Sequence, residues 1–181
     1  SIKKENQQWV LYNDTGESLD TYDWVILAIP SPQAAQLLPK THHWHAWITS
    51  REMHPCFSLM LGFSNTRSYS FDALRLATGP LNWIALNHTK PERQGTSVVA
   101  HTRDSWAITH QDAKLESIES LLEKEVRKYL EYSSQDVVYQ ALHAWRYAYI
   151  RQPSEFKSRL DTQAQIGVCG DWCIESRVES A

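Results

Sequence analysis

The residues best suited to chemistry lie near the end of the sequence, in the run Val168-Cys169-Gly170-Asp171-Trp172-Cys173. Gln165 to Cys169 reads as a short strand, and the residues after Asp171 read as the first turn of a helix. Asp171 therefore stands where open α/β sheets place ligands, beyond the carboxyl end of a strand. A carboxylate at that point accepts hydrogen bonds from hydroxyl groups, and the N–H groups of roughly Cys173 to Ser176 would add the partial positive charge of a helix N-terminus. The competing role for Asp171 is that of an ordinary helix N-cap.

A second set alternates along Val137 to Ile150. His143, Trp145, Tyr147 and Tyr149 share one face of a strand and offer a ceiling able to stack on a planar or cationic ligand. Arg146 falls on the other face and could receive an anionic group. Trp145, Arg146 and Tyr147 are thus the candidates for contact with a substrate, although Trp145 and Arg146 cannot line one cavity unless the strand bulges or ends. The competing role for the aromatic face is packing onto a helix. His42, His43 and His45 are not read as a metal site, because no Cys or carboxylate stands at matching spacing. Cys169 and Cys173 are too widely spaced for a C-x-x-C pair and read as small buried hydrophobes.

These groups need elements to hold them. Trp9 to Tyr12 and Trp24 to Ile29 read as strands of a hairpin turned by Asn13-Asp14-Thr15-Gly16. Ser31-Pro32 then opens a short helix that stops before Pro39. Trp44, Trp47 and Ile48 predict a helix within His42 to Met53. Phe57, Leu59, Leu61 and Phe63 alternate with Ser58, Met60 and Gly62, and with Leu81 to Thr89 and Thr96 to Thr102 they predict an antiparallel sheet. The stripe Leu115, Ile118, Leu122, Val126, Tyr129 predicts one helix from about His110 to Glu131, capped by Thr109-His110-Gln111-Asp112.

Composition bounds the function. Eighteen Lys and Arg against 21 Asp and Glu give a net charge of -3, with no basic run to neutralise phosphates, which speaks against nucleic acid. The longest apolar stretches fall far short of the roughly 20 residues that span a bilayer. Three cysteines suit a reducing, cytoplasmic compartment rather than a disulfide framework. Eight tryptophans in 181 residues point to a ligand-facing aromatic surface or a heavily aromatic core.

The run at residues 168–173, followed by Arg177-Val178-Glu179 and Ala181, resembles the C-terminal flavin-binding signature of renalase-like FAD-dependent amine oxidases. Tyr22 to Ala34, Pro55 to Phe63, Lys90-Pro91-Glu92-Arg93 and His143 to Ala148 are similar to further segments of that family in the same order. The resemblance implies an α+β chain: a mixed, largely antiparallel substrate-domain sheet with helices, flanked by pieces of a doubly wound FAD-binding domain. The expected division is 1–39 and 161–181 as partial FAD-binding domain, with 40–160 as substrate domain. The resemblance further implies FAD contacts from Pro30, Gly170, Asp171, Trp172, Arg177 and Val178, with Asp171 on the ribityl chain. It implies oxidation of an amine or dihydronicotinamide-like small molecule, with dioxygen as final acceptor. The sequence departs from the family in having no G-x-G pair among its six glycines, so no loop here can approach a pyrophosphate. Glu175, Ser176 and Ser180 depart as well, standing where the family tends to small residues. The expectation is a fragment that is inactive alone; the alternative is a tryptophan-rich binding module without catalysis.

Overall fold

A computed structural model describes residues 1–65 and 67–176 of the chain. In chain order the elements are β1 (Ile2–Glu5), β2 (Gln8–Tyr12), β3 (Ser18–Tyr22), β4 (Val25–Leu27), α1 (Ser31–Leu37), α2 (His45–Thr49), β5 (Met53–Phe63), β6 (Ala73–Arg75), β7 (Leu81–Leu86), β8 (Thr96–Thr102), α3 (Asp104–His110), α4 (Leu115–Val126), β9 (Val137–Ile150), β10 (Ser158–Asp161) and β11 (Ile166–Cys169). The class is α+β. Two compact units form: one holds Ser1–Met53 and the chain from Ala148 onward, the other His54–Tyr147.

In the first unit β1, β2 and β3 make an antiparallel meander. Its second turn is built by Asn13, whose Oδ1 accepts the N–H of Thr15 at 3.1 Å and of Glu17 at 2.9 Å, and by Gly16 at φ +83°, a conformation that glycine adopts without steric cost. The turn lies where the sequence predicts it, but its second strand is Ser18–Tyr22, not Trp24 to Ile29. That strand is exposed along its whole length, and its apolar residues Leu19 and Tyr22 do not alternate, so it carries no period-two signal. Val25–Leu27 instead pairs in parallel with β11, and β10 lies antiparallel on the other edge of β11. Apolar packing explains the exchange: Leu27, Ile166 and Val168 join Trp9, Ala34, Leu38, Trp44, Ile48 and Trp172 in one buried cluster. The expected helix in His42 to Met53 shortens to α2, and Met53 already opens β5.

The second unit is a five-stranded sheet in the order β6-β7-β8-β5-β9, antiparallel across β6, β7, β8 and β5. Phe57, Leu59, Leu61 and Phe63 on β5, with Ile84, Leu86, Val98 and Ala100, form the apolar face that packs with Ile118, Leu122 and Val126 of α4. Burial of each such side chain contributes about 2 kcal/mol relative to exposure. The helix expected over His110 to Glu131 shortens to α4, and a separate short helix, α3, precedes it. Thr109 lies in the last turn of α3 and gives its hydroxyl to Trp106 O at 2.8 Å, so no cap forms there, and α4 begins after Lys114. Leu115 and Tyr129, the ends of the predicted stripe, are exposed, while Leu130 is buried in their place. Among the described residues no helix is long and apolar enough to cross a membrane.

Candidate functional site

In the first unit, β4 and β11 end side by side and each runs into a helical turn. After β4 the chain passes Ile29 and Pro30, whose carbonyl accepts the N–H groups of Gln33 and Ala34, both at 2.9 Å. Ser31 is buried and donates its hydroxyl to Arg51 O at 2.7 Å. After β11 the chain turns at Gly170, φ +148°, into a single 3-10 turn over Asp171–Cys173. Trp172 is fully buried and its indole N–H reaches Ile29 O at 2.9 Å. The two strand ends are therefore tied together by this side chain. A Cβ on Gly170 would lie 2.7 Å from the Trp172 Nε1, which together with its φ demands glycine.

Asp171 is half-buried at the mouth of this junction, and its carboxylate makes no hydrogen bond among the described residues. It is not an N-cap, since Gly170 holds that position. The anticipated run of free N–H groups from Cys173 is corrected in part: the Cys173 N–H is bonded to Gly170 O at 3.0 Å, and the turn that follows Asp171 is a short 3-10 turn, whose dipole is correspondingly small. Trp172, predicted as a flavin contact, has its polar atom engaged within the protein. Arg177 and Val178 lie outside the described residues. Cys173 is buried, and this, with Cys169 and Asp171 nearby, pushes its thiol pKa up to about 11; it stays protonated at neutral pH and is no nucleophile.

His42 and His43 meet Asp161 rather than His45. His42 Nε2 and His43 Nδ1 approach Asp161 Oδ2 at 3.3 and 3.8 Å, and the three potential ligand atoms lie within 4.8 Å of one another. The His42 ring argues against a metal. Its Nδ1 accepts the Trp44 N–H at 3.2 Å, so in the neutral ring the proton sits on Nε2, the atom that would have to offer a lone pair. Metal-bound histidines donate from the second nitrogen instead. Asp161 Oδ1 accepts the N–H groups of Gln163 and Ala164 at 3.0 and 2.8 Å, which first lowers its pKa; the group ties the 42–44 turn to the β10–β11 turn.

In the second unit the predicted substrate candidates lie along β9. Trp145 is 52% exposed and gives its indole N–H to Ser58 Oγ at 3.0 Å, so its ring lies over β5 on the side away from the buried Phe57 and Leu59. His143 packs edge-on against Trp145, with ring centroids 4.2 Å apart. Tyr147 shares the parity of Trp145 and Arg146 has the opposite one. Leu142, of opposite parity to Trp145, packs with the helix-side core, and Trp145 itself bonds Ser58, so at this part of β9 the aromatic face is not the one that meets the helices. Sequence reasoning missed the partners across the sheet. Ser58 pairs with His101, His101 with Trp83, and Trp83 with Arg75, a row on the face opposite Ile84 and Ala100. Alternation within Thr96 to Thr102 places His101 on that face, but only register joins it to Trp83 and Ser58. A hollow of about 500 Å3 beside α4, lined by Glu116, Glu119, Glu123 and Arg127 among others, contains none of these residues.

No protein-family model matches the chain. Its fold does match solved structures. A protein from Exiguobacterium sp. 255-15 assigned as a protoporphyrinogen oxidase superposes with a TM-score of 0.67 at 16% identity, over 94% of this chain and 40% of that one. Cyclohexylamine oxidase from Brevibacterium oxydans IH-35A gives 0.64 at 14% identity, over 95% and 42%. Putrescine oxidase bound to putrescine gives 0.60 at 15%, over 95% and 42%. This chain shares its fold with part of each of these oxidases. It spans about two fifths of their length.

Proposed function

We propose that the chain is part of a flavin-dependent oxidoreductase in which the first unit contributes one end of an FAD site and the second unit contributes a substrate-binding face. The observation that carries this reading is the half-buried Asp171 carboxylate, without a hydrogen bond among the described residues, at the carboxyl ends of the parallel pair β4 and β11 in a fold shared with parts of amine oxidases. The residues fit the ribityl end of FAD: Asp171 offers an acceptor for hydroxyl groups that has no hydrogen bond among the described residues, next to Gly170, where the Trp172 indole fills the place a side chain would take. They do not supply a pyrophosphate loop, since the sequence has no G-x-G pair. FAD, when bound, would take a hydride equivalent from an amine or dihydronicotinamide-like substrate and pass it to dioxygen.

The protein's own part is to hold and orient. Asp171 would fix the sugar-alcohol chain, Pro30 and Gly170 would present backbone, and Trp172 would keep the two strand ends in register through Ile29. Trp145 and Tyr147 would form part of the substrate surface. A small molecule is the expected partner, and three cysteines that form no disulfide suit a reducing cytoplasmic setting. Renalase-like enzymes are the subgroup this reading favours, on the residue run 168–173.

The test is flavin retention by the gene product carrying its flanking sequence. Asp171→Ala is expected to weaken FAD binding by about tenfold or more, the loss of one or two hydrogen bonds to a charged group, with Asp171→Asn intermediate. Equal flavin content in all three proteins would remove Asp171 from the site. The 181-residue chain alone is expected to purify without flavin.

A further inference from the structure

The face of the five-stranded sheet opposite α4 carries a row of side chains whose chemistry is not used up within the protein. Arg75, Trp83, His101 and Ser58 are cross-strand partners in sequence, and cross-strand partners point to the same side. The Trp145 indole lies over Ser58, held by its hydrogen bond of 3.0 Å. His101 therefore sits between two indoles, Trp83 on one neighbouring strand and Trp145 over the other, 38% and 52% exposed. With strands about 4.8 Å apart, Arg75 is roughly 10 Å from His101 along the row. A six-membered ring with one substituent spans that interval when the arginine side chain reaches inward.

Charge decides what such a row accepts. None of the five strands contains an aspartate or a glutamate, although the whole chain carries more acids than bases. The fixed positive charge on the row is Arg75, and Lys90, in the connection between β7 and β8, adds to the field felt by His101. Burial first, and Lys90 second, hold the His101 pKa below its usual value, so its imidazole is neutral at pH 7 and offers one donor and one acceptor. An ammonium ion would meet no carboxylate on these strands. An oxyanion would meet the exposed Arg75 guanidinium, whose fork of donors has no hydrogen-bond partner among the described residues.

We propose that this face binds a planar ring bearing an oxyanionic group, with Arg75 gripping the anion, His101 orienting the ring, and Trp83 and Trp145 stacking on it. This rests on the oxidoreductase reading only in naming the ligand as the substrate; it separates this chain from proteins that take simple cationic amines. Carboxylate and phosphate substituents share the required chemistry.

The experiment uses the 181-residue chain, its fold verified by circular dichroism, titrated with benzoate, benzamide and benzylammonium while the indole and imidazole resonances are followed by NMR. Benzoate is expected to shift the Trp83 and Trp145 indole signals and to bind about tenfold more tightly than benzylammonium. Arg75→Gln should weaken benzoate by about tenfold and leave benzamide unchanged, whereas His101→Gln should weaken both. Benzylammonium binding at least as tightly as benzoate, benzoate leaving both indoles unshifted, or Arg75→Gln leaving benzoate affinity intact would each overturn the proposal. A longer gene product without flavin, alongside the expected benzoate result, would end the flavin reading and leave this one standing. A flavin-containing product that prefers benzylammonium would do the reverse.

Discussion

The end of the parallel pair β4 and β11 and the open face of the five-stranded sheet are both rich in tryptophan, and they use it in opposite ways. Trp172 is fully buried with its indole N–H on Ile29 O; it joins the two strand ends beside the half-buried Asp171, whose carboxylate has no hydrogen bond among the described residues. Trp145 and Trp83 keep large fractions of their rings exposed beside an imidazole and a guanidinium left available. A tryptophan next to a candidate site is therefore not itself evidence of ligand contact. The disposition of its N–H and its burial decide whether it builds the site or faces the ligand.

That contrast is sharpest in stability. Trp172→Ala is expected to cost about 3–5 kcal/mol, as large-to-small changes at buried aromatics do, whereas Trp145→Ala should cost under about 1 kcal/mol; urea denaturation of the two variants measures the difference, and equal losses would break it. Gly170→Ala comes next, at about 2–3 kcal/mol, because the backbone is strained for any other residue and the added carbon meets the immobile indole of Trp172.

Acidification should act on both regions with one sign. Burial is the leading cause of lowered pKa values at His42 and at His101. A histidine whose folded pKa lies below its unfolded value contributes stability above the unfolded pKa, and that contribution is lost as pH falls through the folded one. The urea midpoint should therefore fall between about pH 7.5 and pH 5.5, and His101→Gln should flatten part of that slope. Cysteine reactivity gives a smaller, local readout: at mildly alkaline pH iodoacetamide should label the half-buried Cys169 before Cys173, whose thiol is held protonated. The smallest effect is Ser58→Ala, expected to cost a few tenths of a kcal/mol to about 1 kcal/mol through the loss of a partly exposed hydrogen bond, while freeing the Trp145 ring and changing its fluorescence.

Much of this arrangement is legible in the residue order. The alternation from Phe57 to Phe63, the turn at Asn13 to Gly16 and the strand before Gly170 all emerge where the pattern places them, because each is fixed by local periodicity or by one residue's conformational freedom. What escaped is set by tertiary pairing. Ser18–Tyr22 is an exposed edge strand whose Leu19 and Tyr22 do not alternate, so it gives no period-two signal. The helix α4 keeps only the inner part of the span the stripe suggests, since Leu115 and Tyr129 at the ends of the stripe are exposed. The row Arg75, Trp83, His101, Ser58 joins four strands that are distant in sequence, and a one-residue slip in any of them would scatter it. The internal bond of Trp172 is illegible for a related reason: its neighbours in sequence suggest a ligand, while the acceptor of its indole N–H, Ile29, lies 143 residues away.

The flavin content of the purified gene product with its flanking sequence decides whether Asp171 belongs to an FAD site. A yellow protein with close to one FAD per chain, reduced by substitution at Asp171, is expected. A colourless product that gains no bound flavin on incubation with excess FAD would contradict it.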